Sequence, residues 1–314
     1  ITCMIGEFMS LFRSNKFNIC ADETFDLGTG RSMEAANEKG RDVLYVEFVS
    51  GLFDFLIKNG RTPMFWGDII CQSPELLKRF PKEVICLAWG YSENQEDTEV
   101  RILHEAGTRQ YVCPGTRGWN HFVNQMQESY QNIVRMCAYG RKYGALGVLN
   151  TDWGDYGHIG IPDFSIPGMI YGAVFSWGEG FDFDALNHMI SVLEYGDASG
   201  EFMDCLAKVS GCEIFGWAGA VQFKEWSQKG KDTQGLLSLC ADKECFEKIK
   251  ERIAALSEKI FFASRSMELE KRPLAAYAVF CLRMISVWNA VGECLLVPKD
   301  MQERMALAGQ LEQC

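Results

Sequence analysis

Within the first 155 residues of this 314-residue chain, short apolar runs alternate five times with longer stretches of helical periodicity. The runs are KFNICADE (residues 16–23), PMFWGD from about Pro63, EVICLAWGY (83–91), RQYVCPGT (109–116) and ALGVLNTDWGD (145–155). Between them lie helical patterns at 33–59, 73–80, 97–107 and 124–144. In the first of these Val43, Val46, Phe48, Leu52 and Phe55 form an approximate apolar face. Ser73 with Pro74 reads as a helix start, and Gly107 as a helix stop. Strand-then-helix repetition implies parallel strands covered by helices, because two parallel neighbours need a crossover between them. A doubly wound sheet and a (β/α)8 barrel both satisfy it.

The strand ends separate the two. Each apolar run finishes on acids or large aromatics: Asp22-Glu23, Trp66-Gly67-Asp68, Trp89-Gly90-Tyr91, Tyr111 onward, and Asp152-Trp153-Gly154-Asp155. In a barrel all strand C-termini open on one face, so these groups would form an aromatic cup holding carboxylates. A doubly wound dinucleotide site would need a GxGxxG opening a helix, and none is present; Gly28-Thr29-Gly30 is too short for a phosphate loop. The fold class read here is α/β of the (β/α)8 barrel type. About five βα units span residues 1–180, and an α-helical region follows over 181–314. In that region 243–270 and 273–296 read as two long helices, and 227–235 as a surface loop.

Composition allows this fold and narrows the partners. A hydrophobic share of 47% is enough for a large core. The net charge of −11 disfavours nucleic acid and anionic membranes as partners. No uninterrupted apolar run reaches the roughly 20 residues of a membrane span. The first ten residues, ITCMIGEFMS, lack the pattern of a secretory signal, and the chain begins at Ile1, as expected of a processed chain or a piece of a longer one. Thirteen cysteines, an odd number without a CxxC pair, read as reduced core residues of a cytoplasmic protein. The nearest approach to a pair is Cys240 and Cys245.

Trp66, Trp89 and Trp153 hold like positions at the ends of three strands, and an indole face suits the apolar side of a sugar ring or a methyl group. With FNICADETFDLGTGRS, PMFWGDII, YVCPGTRGWN and GVLNTDWGDYGH, the chain resembles glycoside hydrolase family 20, the β-N-acetylhexosaminidases, over roughly residues 8–180. The resemblance implies substrate-assisted retaining hydrolysis of terminal β-linked N-acetylhexosamine. The 2-acetamido oxygen attacks the anomeric carbon in place of a protein nucleophile. Glu23 would be the general acid, kept protonated by burial and its acidic neighbour, and Asp22 would orient the acetamide. Tyr111 would hydrogen-bond the acetamide oxygen, and Trp66 and Trp89 would wall its methyl group. Trp153 would stack under the ring, and Asp155 would hold outer hydroxyls. Asp68 would orient the site or cap a helix, and Trp119 with Asn120 would reach the aglycone side. No cofactor and no metal is implied.

The family barrel has eight strands, and its acidic pair ends the fourth. The first three strands, with an arginine that grips the sugar and a histidine-bearing loop, have no counterpart in this sequence. A missing N-terminal segment or a homo-oligomer partner would supply them. The alternative is a non-catalytic N-acetylhexosamine-binding or assembly fragment. A third reading, a metal-dependent hydrolase built on Asp22, Glu23 and Asp155, has few histidines to draw on.

Overall fold

The computed structural model describes residues 1–233, 236, 243–296, 302, 305 and 309. Its chain divides into two compact units, Ile1–Pro114 with Gln131–Thr151, and Gly115–Tyr130 with Asp152–Cys314. The first contains one sheet of five parallel strands in sequential order: β1 (Lys16–Asn18), β2 (Thr62–Trp66), β3 (Ile85–Trp89), β4 (Arg109–Cys113) and β5 (Gly147–Val148). Sequential order in an all-parallel sheet is the arrangement of a barrel wall, so the α/β reading holds as a half-barrel followed by helices. Helix α1 (Thr2–Leu11) precedes the sheet; α2 (Met33–Lys39), α3 (Arg41–Lys58), α4 (Thr98–Glu105) and α5 (Met126–Lys142) follow within it.

Register assigns every strand residue to one of two faces. Phe65 is level with Cys86, and Cys86 with Gln110; one residue on, Trp66 is level with Leu87, and Leu87 with Tyr111. Side chains alternate along a strand, so these rows lie on opposite faces. The first faces the helices, where Phe65, Cys86, Ala88 and Val112 pack with α3, α4 and α5 in one buried cluster. Phe53 of α3 stands 5.2 Å from both Phe65 and Phe80, with Phe80 edge-on. The second face carries Met64, Trp66, Leu87, Trp89, Tyr111 and Cys113.

Several sequence expectations change. The pattern over 33–59 is two helices, because Gly40 takes a φ of 90° that an α-helix does not allow. Residues Pro74–Arg79 form 3₁₀ turns, and Ser73 makes no cap; its hydroxyl donates to the Asp42 carboxylate instead. The outer runs are shorter as strands than they read. Their pairing continues past the regular ladder, however, with the Ile19 amide donating to Met64 O (2.9 Å) and the Leu149 amide to Val112 O (2.9 Å). Gly107 closes α4 with φ 73° as expected.

The second unit is helical in the described residues: α6 (Ile166–Trp177), α7 (Phe183–Leu193), α8 (Phe202–Val209), α9 (Trp217–Gln228), α10 (Lys243–Ser264) and α11 (Arg272–Leu296). Buried Asp197 opens α8 by accepting the Glu201 and Phe202 amides at 2.9 and 2.8 Å. By length and composition α11 is apolar enough to cross a membrane over Arg272–Leu295, contrary to the reading of uninterrupted runs. Arg283 breaks the run without lowering the mean hydropathy below that of a span. One stripe of α11 (Leu274, Ala278, Cys281, Leu282, Ile285) is buried, and the helix packs on α10. The reading of all cysteines as reduced core residues also changes: Cys3 and Cys20 are exposed, and Cys245 is disulfide-bonded. Residues 234 and 235 of the expected loop, Cys240, and most of 297–314 lie outside the described residues.

Replacing Phe53 with Ala removes the centre of the aromatic trio. It is expected to lower the stability of the first unit by about 3–5 kcal/mol in urea unfolding, the usual range for an emptied core phenylalanine site.

Candidate active site

The acidic pair does not sit on a strand end. β1 stops at Asn18, and Asp22 and Glu23 belong to a loop whose backbone is left-handed at three non-glycine residues, Cys20 (φ 62°), Ala21 (φ 68°) and Glu23 (φ 46°). Each such residue is strained and persists only where its surroundings hold it. Five ties do so here. The Cys20 amide donates to Asn18 Oδ1 (2.9 Å), and Cys20 O accepts the Trp66 amide (2.9 Å). Tyr45 Oη donates to Ala21 O (2.8 Å), and Arg41 donates to Thr24 O (2.6 Å). The Glu23 amide donates to Asp68 Oδ2 at 3.3 Å. The loop is thereby fastened to the ends of β1 and β2 and to α3.

The two acids differ in exposure. Asp22 is half-buried, and its charge, after burial, pushes the Cys20 thiol up, while a hydrogen bond from the Trp66 side chain opposes the rise. Glu23 is exposed, which corrects the expectation of a buried acid. The physical reason is the turn itself: the left-handed residues carry the chain off the strand's alternation before Glu23 is reached. Beside Glu23 lie two cavities. One, of about 750 Å³, is apolar and lies over β1 between α1 and α3, lined by Met4, Phe8, Phe17 and Phe48. The other, of about 590 Å³, has a mixed lining in which Arg41, Asp42, Asp68, Trp89 and Glu99 stand among apolar side chains.

Trp66, Trp89 and Tyr111 share one sheet face. Trp66 is buried, and Trp89 and Tyr111 are half-buried. Trp89 stacks on Tyr91 at 5.2 Å between ring centroids. Gly147 makes room for Tyr111, since a β-carbon there would stand 2.9 Å from the phenol ring. Asp22, Glu23, Trp66, Asp68, Trp89 and Tyr111 all lie in the first unit: the three aromatic residues share a sheet face, and Glu23, Asp68 and Trp89 line one cavity.

The other sequence-derived residues belong to the second unit. Trp119 and Asn120 are half-buried in a loop where Arg117 and Asn120 are left-handed, and the Arg117 guanidinium lies 5.4 Å from the Trp119 ring centre. Arg117 is paired with Glu128 at 2.5 Å. Trp153 is 37% exposed and Asp155 is exposed, in a segment where Tyr156, Gly157 and His158 all have positive φ. Asp152 is engaged by the Thr116 and Ser165 hydroxyls, which makes it a structural acceptor. Among the described residues no three His, Cys, Asp or Glu side chains converge as a metal site would require.

Sequence reading missed Glu99, in the first turn of α4. One of its oxygens, like Asp68 Oδ1 and Trp89 Nε1, is buried without a hydrogen-bond partner. Burial, and then the Asp68 charge, push the Glu99 carboxyl up to about 7 from an ordinary 4.5. No signal in DTEVRILHEAG marks this, because an acid in a first helical turn is the commonest solvated arrangement.

Glu99 makes stability depend on pH. Below the unfolded value of 4.5 it is protonated in both states. Between that value and about 7 the folded protein keeps a proton that the unfolded chain releases, so stability falls as pH rises. Above about 7 the full penalty remains. Glu99→Gln is therefore expected to be more stable than the wild type by about 1–3 kcal/mol at alkaline pH. That difference should vanish toward pH 4, as read by urea unfolding at a series of pH values.

No protein-family model matches the chain, and no curated protein matches it. Among solved structures, it is similar to the crystal structure of a β-N-acetylhexosaminidase from Bacteroides fragilis NCTC 9343, at 17% sequence identity and a TM-score of 0.49. The match covers 62% of this chain and 42% of that one.

Proposed function

We propose that the chain carries part of the active site of a glycoside hydrolase that removes terminal β-linked N-acetylhexosamine with the substrate's own acetamide as nucleophile. The observation that carries this reading is that Trp66, Trp89 and Tyr111 share one sheet face and that the loop holding Asp22 and Glu23 is bonded to the end of β2 through the Trp66 amide and Asp68. An acetamide needs an apolar wall for its methyl group and a donor for its oxygen; two indoles and a phenol are suited to both. Its nitrogen gains positive character as the oxygen attacks, and half-buried Asp22 is suited to balance it. Glu23 would protonate the departing oxygen, its exposure leaving room for the aglycone.

In this mechanism the acetamide oxygen bonds to the anomeric carbon as the glycosidic bond breaks, and the leaving oxygen takes its proton from Glu23. Water, deprotonated by the same Glu23, then attacks the anomeric carbon and restores the acetamide. The exposure of Glu23 equally suits a second reading, a module that binds N-acetylhexosamine without turning it over.

Hydrolysis of an aryl N-acetyl-β-glucosaminide separates the two. Glu23→Gln is expected to reduce kcat by about a hundred- to ten-thousand-fold. Asp22→Asn should weaken binding of a thiazoline mimic of the cyclised intermediate, followed by tryptophan fluorescence. Binding without turnover in the wild type would select the non-catalytic module, and neither binding nor turnover would remove both readings.

A further inference from the structure

The Glu23 loop is strained, and its ties differ in kind. Four of the five have a neutral acceptor, Asn18 Oδ1 or the carbonyl of Cys20, Ala21 or Thr24. The fifth, from the Glu23 amide to Asp68 Oδ2, rests on a carboxylate. That carboxylate has its other oxygen buried and unpaired; Glu99, with an unpaired buried oxygen, and Trp89, with an unpaired buried N–H, line the same cavity as Asp68. Two carboxylates cannot both be charged at little cost in such a space, because their repulsion is weakly screened away from water.

We propose that Asp68 and Glu99 are positioning residues for Glu23: with Glu99 protonated, the Asp68 carboxylate holds the Glu23 amide, and loss of that proton to solvent loosens the hold. Burial, and after it the charges of Glu99 and then Asp68, push the Cys71 thiol up, so both acids act on one spot. Burial and the Asp68 charge set the loss of the Glu99 proton near neutrality. The other charged or titratable groups facing the cavity are Glu23, Arg41, Asp42, Tyr45 and Cys71. Arg41 is engaged by Thr24 O and Phe25 O, Asp42 accepts from Ser73, and Tyr45 is held neutral by burial and by Asp68. On α4's own side, Asp97 is held by Lys142 and Tyr143, and Arg101 pairs with Glu105. None of these neutralises Glu99, so its ionisation falls on Asp68.

The meaning for catalysis rests on Glu23 being the acid, but the coupling is testable without it. Amide exchange at Glu23, corrected for the intrinsic pH dependence of exchange, would be compared from pH 5.5 to 8.5 in the wild type, Glu99→Gln and Asp68→Asn. Protection in the wild type is expected to fall by about tenfold as pH rises through neutrality. It should stay high and flat in Glu99→Gln, whose amide mimics the protonated acid, and low throughout in Asp68→Asn. Should a variant fail to fold, carbon NMR titration of Glu99 in the wild type decides: ionisation in the ordinary carboxylate range overturns the proposal. Wild-type protection that is flat, or Glu99→Gln that follows the wild type, overturns it as well. Coupling without hydrolysis removes the hydrolase reading alone, and hydrolysis without coupling removes this inference alone.

Discussion

Parallel register is the constraint on which the rest of the first unit depends. Because Phe65 pairs with Cys86 and Trp66 with Leu87, one residue of offset decides which side chains meet the helices and which stand on the opposite face. A slip of one residue would send Trp66 and Tyr111 into the helical layer and expose Phe65 and Val112. The buried cluster of Phe53, Phe65, Cys86 and Val112 opposes that slip with the largest apolar burial in the unit. The aromatic face is therefore held in place by packing on the other side of the sheet.

The loop after β1 depends on that register too. It is bonded to β2 through the Trp66 amide and to the residue beyond Trp66-Gly67 through Asp68. Three left-handed non-glycine residues in four positions would not persist in an isolated peptide. They are stabilised by partners on β2 and α3, which fasten the loop carrying the acidic pair to the sheet and to its helical layer. The same arrangement draws Asp68 and Glu99 into one cavity, so the electrostatics of the site extends beyond the residues that would touch a sugar.

Strands β2, β3 and β4 were legible because each ends in an apolar run of three to five residues followed by turn residues. The aromatic residues at their ends were legible as a group because period-two alternation places Trp66, Trp89 and Tyr111 together once the strands are parallel. The break at Gly40 was not, since a single glycine inside a helical pattern is usually tolerated. Ser73-Pro74 carries a strong helix-start signature, yet Asp42, distant in sequence, captures the hydroxyl. The exposure of Glu23 was hidden because alternation was extended past Asn18, where the backbone has already left the extended region.

By itself the sequence determined the order of strands and helices and the crossover topology, since these follow from local periodicity and residue type. Tertiary structure alone decided that Asp22 is half-buried while Glu23 is exposed, and that Glu99 becomes a neutral-range acid. It also decided that Asp68 is bound to the Glu23 amide. The physical reason is that strain and desolvation are properties of what surrounds a residue, and the surroundings of Glu23 and Glu99 are assembled from segments far apart along the chain.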